Sequence, residues 1–325
     1  MTGWGVAGCG WVARDHAVPG LMCVPDARVV ALHDPSPSAM ARMTVDAPRC
    51  SSLDAFLMTP GLDAVYVATP NSAHRSVVEA AAAAGKAVLC EKPLAADLAD
   101  AEHLVRACRG VLFGTAYDQR WHPAHVRLRE LLPEVGTVTA VRIVYCCWLP
   151  ADWTPDGRKY DNWRIDYGRA GGGAAIDLAP HGIDLVGVLL GEDVEVLHAL
   201  VQSRVHDYAR RSSVVDDGAM LHGRTRSGVL VDLHVAYNTP DALPRRRLEV
   251  VGTRGALVAV DTMGQTGGGS LTLLDPDPTP IAFEGSSPFA AQFAAFTAAV
   301  EGTSGWPYAA ARDLRLHRML LEALA

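Results

Sequence analysis

A glycine-spaced turn near the N-terminus, Gly8-Cys9-Gly10-Trp11-Val12-Ala13, dictates the first third of this chain. It follows an apolar run containing Trp4, Val6 and Ala7 and opens a segment able to form a helix. Two glycines let the backbone reverse sharply and come close to a pyrophosphate. The small Ala13 lets the helix pack tightly on a sheet. The helix N-terminus then offers free N–H groups and a partial positive charge to phosphates. The next apolar run, residues 28–33, ends in Asp34. A carboxylate about 20 residues after the glycines is the acceptor that a ribose 2′-hydroxyl needs.

The pattern continues as strand and helix in alternation. Strands are predicted over 4–7, 28–33, 63–68, 86–90 and 111–116. Helices are predicted after Gly10, from near Ser36 or Ser38, over 76–84 and over 98–109. Alternation of this kind implies a parallel sheet with right-handed crossovers, and function at the carboxyl ends of its strands. Gly8, Asp34, Thr69 and Glu91 all fall there. From about residue 121 the texture changes: one helix over 124–132, then strands over 138–148, 194–205, 217–222, 229–236, 247–251 and 256–260. Residues 265–270 read as a glycine-rich loop tip, and helices over 290–300 and 309–324 close the chain. A length of 325 residues accommodates about two domains at roughly 150 residues each. The predicted fold is α/β plus α+β. A doubly wound, Rossmann-type parallel sheet occupies 1–120. An open, mostly antiparallel sheet domain for substrate binding and oligomerisation occupies 121–325, its last helices packing back toward the first domain.

The charge balance narrows the partners. A net charge of −7, with Arg245-Arg246-Arg247 as the one basic run, argues against nucleic acid. No stretch approaches the ~20 uncharged apolar residues of a membrane span, and no basic-then-apolar leader is visible. Seven cysteines include no C-x-x-C pair, which fits a reduced, cytoplasmic protein with no metal site.

A second constellation lies over residues 162–184. Three glycines, 171–173, precede an apolar stripe, and Asp177, His181 and Asp184 are spaced i, i+4, i+7, on one face of a regular helix. A carboxylate beside a histidine fixes the ring and raises its basicity, as a general base near neutral pH requires. The alternative is that His181 satisfies buried groups and Asp177 is a surface acid. Pro180 either bends this helix or sits in the first turn of one that starts late.

Taken in order, the glycine turn, Thr69-Pro70-Asn71 with His74, Glu91-Lys92-Pro93, Arg120-Trp121-His122-Pro123 and Gly171-Gly172-Gly173 followed by Asp177-x-x-x-His181-x-x-Asp184 resemble the glucose–fructose oxidoreductase / inositol dehydrogenase / MocA family. The resemblance runs from Val6 to the final helix. It implies a nicotinamide dinucleotide on the first domain, a sugar, cyclitol or related polyol on the second, and a homodimer or homotetramer formed sheet to sheet; the net charge of −7 and Asp118 add an aminosugar or aminoglycoside to the candidate substrates.

Carried over by position, the resemblance makes Lys92 the cation that reaches the reacting oxygen and His181 the proton acceptor in oxidation. Asp177 holds the substrate hydroxyls. Gly8, Gly10, Trp11, Val12, Ala13 and Asp34 hold the dinucleotide. Thr69, Asn71, His74, Glu91, Trp163 and Arg164 lie toward its nicotinamide end, although hydrogen bonding of the turn is the stronger expectation for His74. Asp118 and Arg120 are substrate-binding candidates. Asp118 stands where relatives often carry an amide, and either adds negative charge near the substrate or caps a helix. The implied activity is NAD-dependent oxidation of a secondary ring hydroxyl to a ketone. Reduction of a ketosugar, free or nucleotide-linked, and NAD-dependent glycoside cleavage without net redox change are the alternatives.

Overall fold

The structure is a computed structural model that describes residues 1–156, 161–208 and 215–325. The chain forms two compact units, Met1–Tyr117 with Phe289–Arg315, and Asp118–Pro288 with Leu316–Ala325.

In the first unit, β1 (Thr2–Ala7) leads through the turn into a short π-helical stretch, Ala13–Ala17, and α1 (Val18–Met22). Pro19 has no N–H with which to continue a regular ladder, and the wider π turn lies just before it. There follow β2 (Ala27–His33), α2 (Pro37–Ala41), β3 (Arg49–Cys50), α3 (Leu53–Leu57), β4 (Ala64–Val67), α4 (Asn71–Ala83), β5 (Ala87–Glu91), α5 (Leu98–Ala107) and β6 (Phe113–Ala116). All pairings are parallel, in the order β3-β2-β1-β4-β5-β6. The order reverses between β1 and β4, the switch point at which such sheets take ligands. Every residue of β1 and β4 is buried, as strands covered on both faces must be. Helix α4 starts at Asn71, earlier than its alanine-rich run announces. Burial of Asn71 and His74 holds a first turn of weak intrinsic propensity.

The second unit begins with a 3-10 turn, Asp118–Trp121, and α6 (Pro123–Glu130). Then come β7 (Val138–Cys146), α7 (Tyr167–Ala170), α8 (Ala174–Leu190), β8 (Val194–Gln202), β9 (Gly218–Thr225), β10 (Leu230–Ala236), β11 (Arg246–Gly252), β12 (Ala256–Val260), β13 (Ser270–Asp275) and β14 (Asp277–Ile281). The sheet order is β14-β13-β12-β11-β7-β10-β9-β8, antiparallel except between β7 and β10. The sequence pattern missed β13 and β14. Pro278 and Pro280 disguise β14, but it is the edge strand, where a missing donor costs little.

Helix α8 covers one face of this sheet. At Gly182 the helix approaches β10 so closely that a Cβ would stand 2.6 Å from Leu233 Cδ2. Pro180 lies inside the helix, which neither starts late nor stops there. Asp216 fixes the start: its Oδ1 accepts from Gly173 N at 2.9 Å and its Oδ2 from Ala175 N at 2.8 Å. An interior proline costs about 3 kcal/mol. Burial of Ile176, Leu178, Ile183, Leu185, Val186 and Leu189 offsets it at roughly 1.5–3 kcal/mol per large side chain. The stretch Tyr167–Leu190 is long and apolar enough to cross a membrane by composition, but most of it is buried within the unit.

Helices α9 (Pro288–Val300) and α10 (Ala310–Leu324) end the chain. From Phe289 onward α9 belongs to the first unit, where Phe293 meets Trp4 edge-on at 5.1 Å and Trp4 Nε1 donates to Thr297 Oγ1 at 3.1 Å.

Candidate active site

The first unit gathers its candidates at the carboxyl ends of β1, β2, β4 and β5. Gly8 has φ 96°, and a Cβ there would stand 2.5 Å from Ala68 C and O, so no other residue fits between these strand ends. A Cβ on Gly10 would meet nothing within 4 Å, which leaves the space beside the turn open. Asp34 Oδ2 accepts from Cys9 N and Oδ1 from Ser36 N, both at 2.8 Å. Each oxygen keeps a lone pair for a hydroxyl. The open glycine turn, the helix after it and a carboxylate fastened to the turn fit a dinucleotide. Trp11 packs edge-on against His16 at 5.5 Å, and the helix runs from Trp11 through Val12 and Ala13, with Arg14 N donating to Gly10 O at 2.9 Å.

His74 is wholly buried. Its Nδ1 faces Pro93 O at 3.1 Å and Leu94 O at 3.2 Å, and its Nε2 faces Thr69 O at 3.1 Å. It ties the Thr69-Pro70-Asn71 turn to the segment after Lys92. Burial pushes the ring down to about 4, against its backbone acceptors and together with the charge of Lys92. The Tyr66 hydroxyl donates to Glu91 Oε1 at 2.6 Å, which orients that carboxylate at the end of β5.

In the second unit the turn Asp118–Trp121 runs beside α8. Arg120 donates from Nε and Nη2 to both carboxylate oxygens of Asp184, at 2.9 and 2.8 Å, with both side chains essentially inaccessible. This arginine, a substrate-binding candidate by sequence, is thus turned to a buried carboxylate. Asp118 Oδ1 stands 3.5 Å from His181 Nδ1, and both side chains are nearly buried. Gln119 Nε2 donates to Asp118 Oδ2 and to Gly264 O, both at 2.9 Å. The ring of Tyr145 meets that of His181 edge-on at 5.6 Å. Asp177 Oδ2 accepts from the Tyr237 hydroxyl at 2.8 Å and lies 3.6 Å from Arg164 Nε. The Arg164 guanidinium in turn lies 4.5 Å over the Trp163 ring. Burial, and then the charge of Asp177, push the Tyr237 phenol well above its ordinary range, so it remains a neutral donor.

The one-face pattern of Asp177, His181 and Asp184 therefore resolves into distinct partners: Tyr237 and Arg164 for the first, Asp118 for the second, Arg120 for the third. Sequence reasoning missed Gln119, Tyr145, Asp216 and Tyr237. None sits in a motif, and only the sheet register and the helix start bring them into place.

Two more buried histidines brace this turn. His122 Nε2 faces Thr266 O at 3.0 Å, and His125 Nε2 faces Thr262 Oγ1 at 2.9 Å. Burial lowers His122 to about 4. Burial and the neighbouring His122 lower His125 to about 3. With His74 they are neutral in the folded chain and ordinary, near 6.5, in the unfolded one. Their contribution to stability is full above about pH 6.5 and is lost as pH falls through about 4, because the unfolded chain takes up protons that the folded chain refuses. Melting temperature, followed by circular dichroism at constant ionic strength, is expected to drop steadily from pH 7 to pH 5. A flat curve over that interval would refute this account.

Among known families, the one described as "Oxidoreductase family, NAD-binding Rossmann fold" matches residues 2–111, and the GFO/IDH/MocA C-terminal domain matches residues 125–258. The chain is 32% identical over 321 residues to a 1,5-anhydro-D-fructose reductase of Ensifer adhaerens, covering 96% of this chain and 92% of that protein. It is 30% identical to an inositol 2-dehydrogenase of Rhizobium meliloti (strain 1021), covering 79% and 74%. The crystal structure of a 3-ketoreductase from Actinomadura kijaniata, in complex with NADP and TDP-benzene, superposes with a TM-score of 0.84 at 25% identity. That match covers 99% of this chain and 97% of the other.

Proposed function

The chain belongs to the GFO/IDH/MocA family of NAD(P)-dependent oxidoreductases acting on sugars and cyclitols, and from that premise we propose that it is an NAD-dependent dehydrogenase of a secondary ring hydroxyl on a sugar, aminosugar or cyclitol. The observation that carries this reading is His181, a nearly buried imidazole held between Asp118 and Tyr145 on the helix that also carries Asp177. His181 takes the hydroxyl proton, and Lys92, as a cation, steadies the developing alkoxide. Asp177, held by Tyr237 and Arg164, orients the substrate hydroxyls. When bound, the nicotinamide supplies the hydride acceptor for the carbinol carbon. Gly8 to Ala13 and Asp34 hold the dinucleotide, and Thr69, Asn71 and Glu91 shape its nicotinamide end.

The reverse reaction, ketone reduction, is the second reading. A relative matched over nearly the whole chain is named a reductase. One experiment separates the two. The pure protein is incubated with NAD and a panel of cyclitols, sugars, aminosugars and aminoglycosides, and with NADH and a matching panel of ketosugars. Formation of NADH from at least one polyol is expected. Consumption of NADH by ketosugars, with no polyol oxidised, would replace the dehydrogenase by a reductase.

A further inference from the structure

We propose that Asp118 is a positioning residue for proton transfer: its carboxylate draws Nδ1 of His181 toward itself and favours the protonated ring, so that Nε2 is the atom that exchanges a proton with substrate. This rests on the role given to His181 above and adds to it a second carboxylate, outside the Asp177-x-x-x-His181 spacing.

The arrangement is built on three levels. Asp118 Oδ1 and His181 Nδ1 are 3.5 Å apart, with the two side chains 7% and 6% exposed, so little water screens the pair. Gln119, anchored on Gly264 O, donates to Oδ2 and leaves Oδ1 turned to the ring. The buried two-bond pair of Arg120 with Asp184 then fixes the turn against α8, two residues from Asp118 and three from His181. A carboxylate that merely capped a helix would need none of this.

Among the described residues, further charged and titratable groups lie near the His181 and Tyr145 rings. Tyr145, from β7, is kept neutral by burial, which pushes its phenol far above the ordinary value. Arg246, from β11, lies over the Tyr145 ring at 5.9 Å and opposes a protonated histidine. Asp177, on the same helix, favours one, but its charge is shared with Arg164 and the Tyr237 hydroxyl. Asp118 places a carboxylate oxygen 3.5 Å from Nδ1 itself. In oxidation the neutral ring takes the hydroxyl proton at Nε2 while the hydride leaves for the oxidised cofactor. In reduction the imidazolium returns that proton as the hydride arrives. An anion at Nδ1 favours the imidazolium and moves the pH dependence of both directions upward.

The test uses the cofactor-free protein, so it needs no known substrate. Nitrogen-edited NMR follows the histidine rings through a pH titration, and the His181 signal is identified by its loss in His181→Ala. Asp118→Asn keeps the shape and removes the charge. Its His181 midpoint is expected about one pH unit below that of the unaltered protein. Should that variant fail to fold, Asp118→Ser serves for the same measurement. An unmoved midpoint in a folded variant, even one with a lower melting temperature, would reduce Asp118 to a structural role and overturn the proposal. Near-normal turnover in His181→Ala would instead remove the role of His181, and this proposal with it.

Discussion

Lys92→Ala and His181→Ala are each expected to lower turnover by at least about a hundredfold, the usual scale for a positioned acid–base group. NAD affinity should change far less if the dinucleotide is held, as proposed, by the turn at Gly8–Ala13 and by Asp34, which accepts from Cys9 N of that turn and from Ser36 N. His181 should reveal itself in the pH profile, the oxidation rate rising through a group that titrates near neutrality. Lys92 should reveal itself through substitution. Lys92→Arg keeps the charge but spreads it over a broad planar group where a compact ammonium is needed, so that variant is expected to be poor as well. Steady-state kinetics with calorimetric NAD binding measures both effects. Near-normal turnover in His181→Ala with an unchanged pH profile would pass the proton to Lys92 or to a bound water.

The second large effect concerns the choice of dinucleotide. NADPH is expected to bind on the order of a hundredfold more weakly than NADH, the scale of a like-charge juxtaposition of several kcal/mol. At the proposed site Asp34 would repel a 2′-phosphate, and the neighbouring Pro35 and Ser36 bring no cation to neutralise one. Arg42 lies at the far end of α2, and Arg49 donates to Met40 O and Met43 O. The Actinomadura kijaniata 3-ketoreductase, by contrast, was crystallised with NADP. Asp34→Ala is expected to weaken NADH and to narrow the gap to NADPH, because the 2′-hydroxyl loses its acceptor and the 2′-phosphate its repulsion, while Cys9 N and Ser36 N lose the carboxylate they share. Fluorescence titration of the two cofactors decides the matter. Comparable affinity for NADPH would overturn the preference for NAD.

The parts of the site that were legible in the sequence are those written locally. Gly8, Gly10 and Ala13 sit within one turn, Asp34 ends the next strand, and a shared helix face for Asp177, His181 and Asp184 follows from 3.6 residues per turn. What that periodicity could not supply was the partner of each residue. Arg120 and Asp184 are 64 residues apart, Tyr237 and Asp177 are 60 apart, and Asp216 reaches 43 residues back to the start of α8. Such pairings follow from sheet order and register, which no local pattern encodes. Pro180 misled for the same reason. Its local cost argues against a helix interior, and the cap and the packing that offset it lie elsewhere in the chain. The edge strand β14 was hidden by prolines that are harmless only at an edge.

The dry histidines at 74, 122 and 125 also change how any activity profile of this protein must be taken. In acid two processes would share one curve: protonation of the ring proposed to take the substrate proton, which would reverse at once on returning to neutral buffer, and the destabilisation expected from the buried histidines, whose effect depends on how long the sample has stood in acid. An assay that equilibrates the protein at each pH records its history as well as its chemistry. A rapid jump from neutral storage into the acidic assay, read before unfolding sets in, isolates the chemical limb. The gap between the two curves then reports the part of the acid limb that comes from loss of the fold rather than from chemistry.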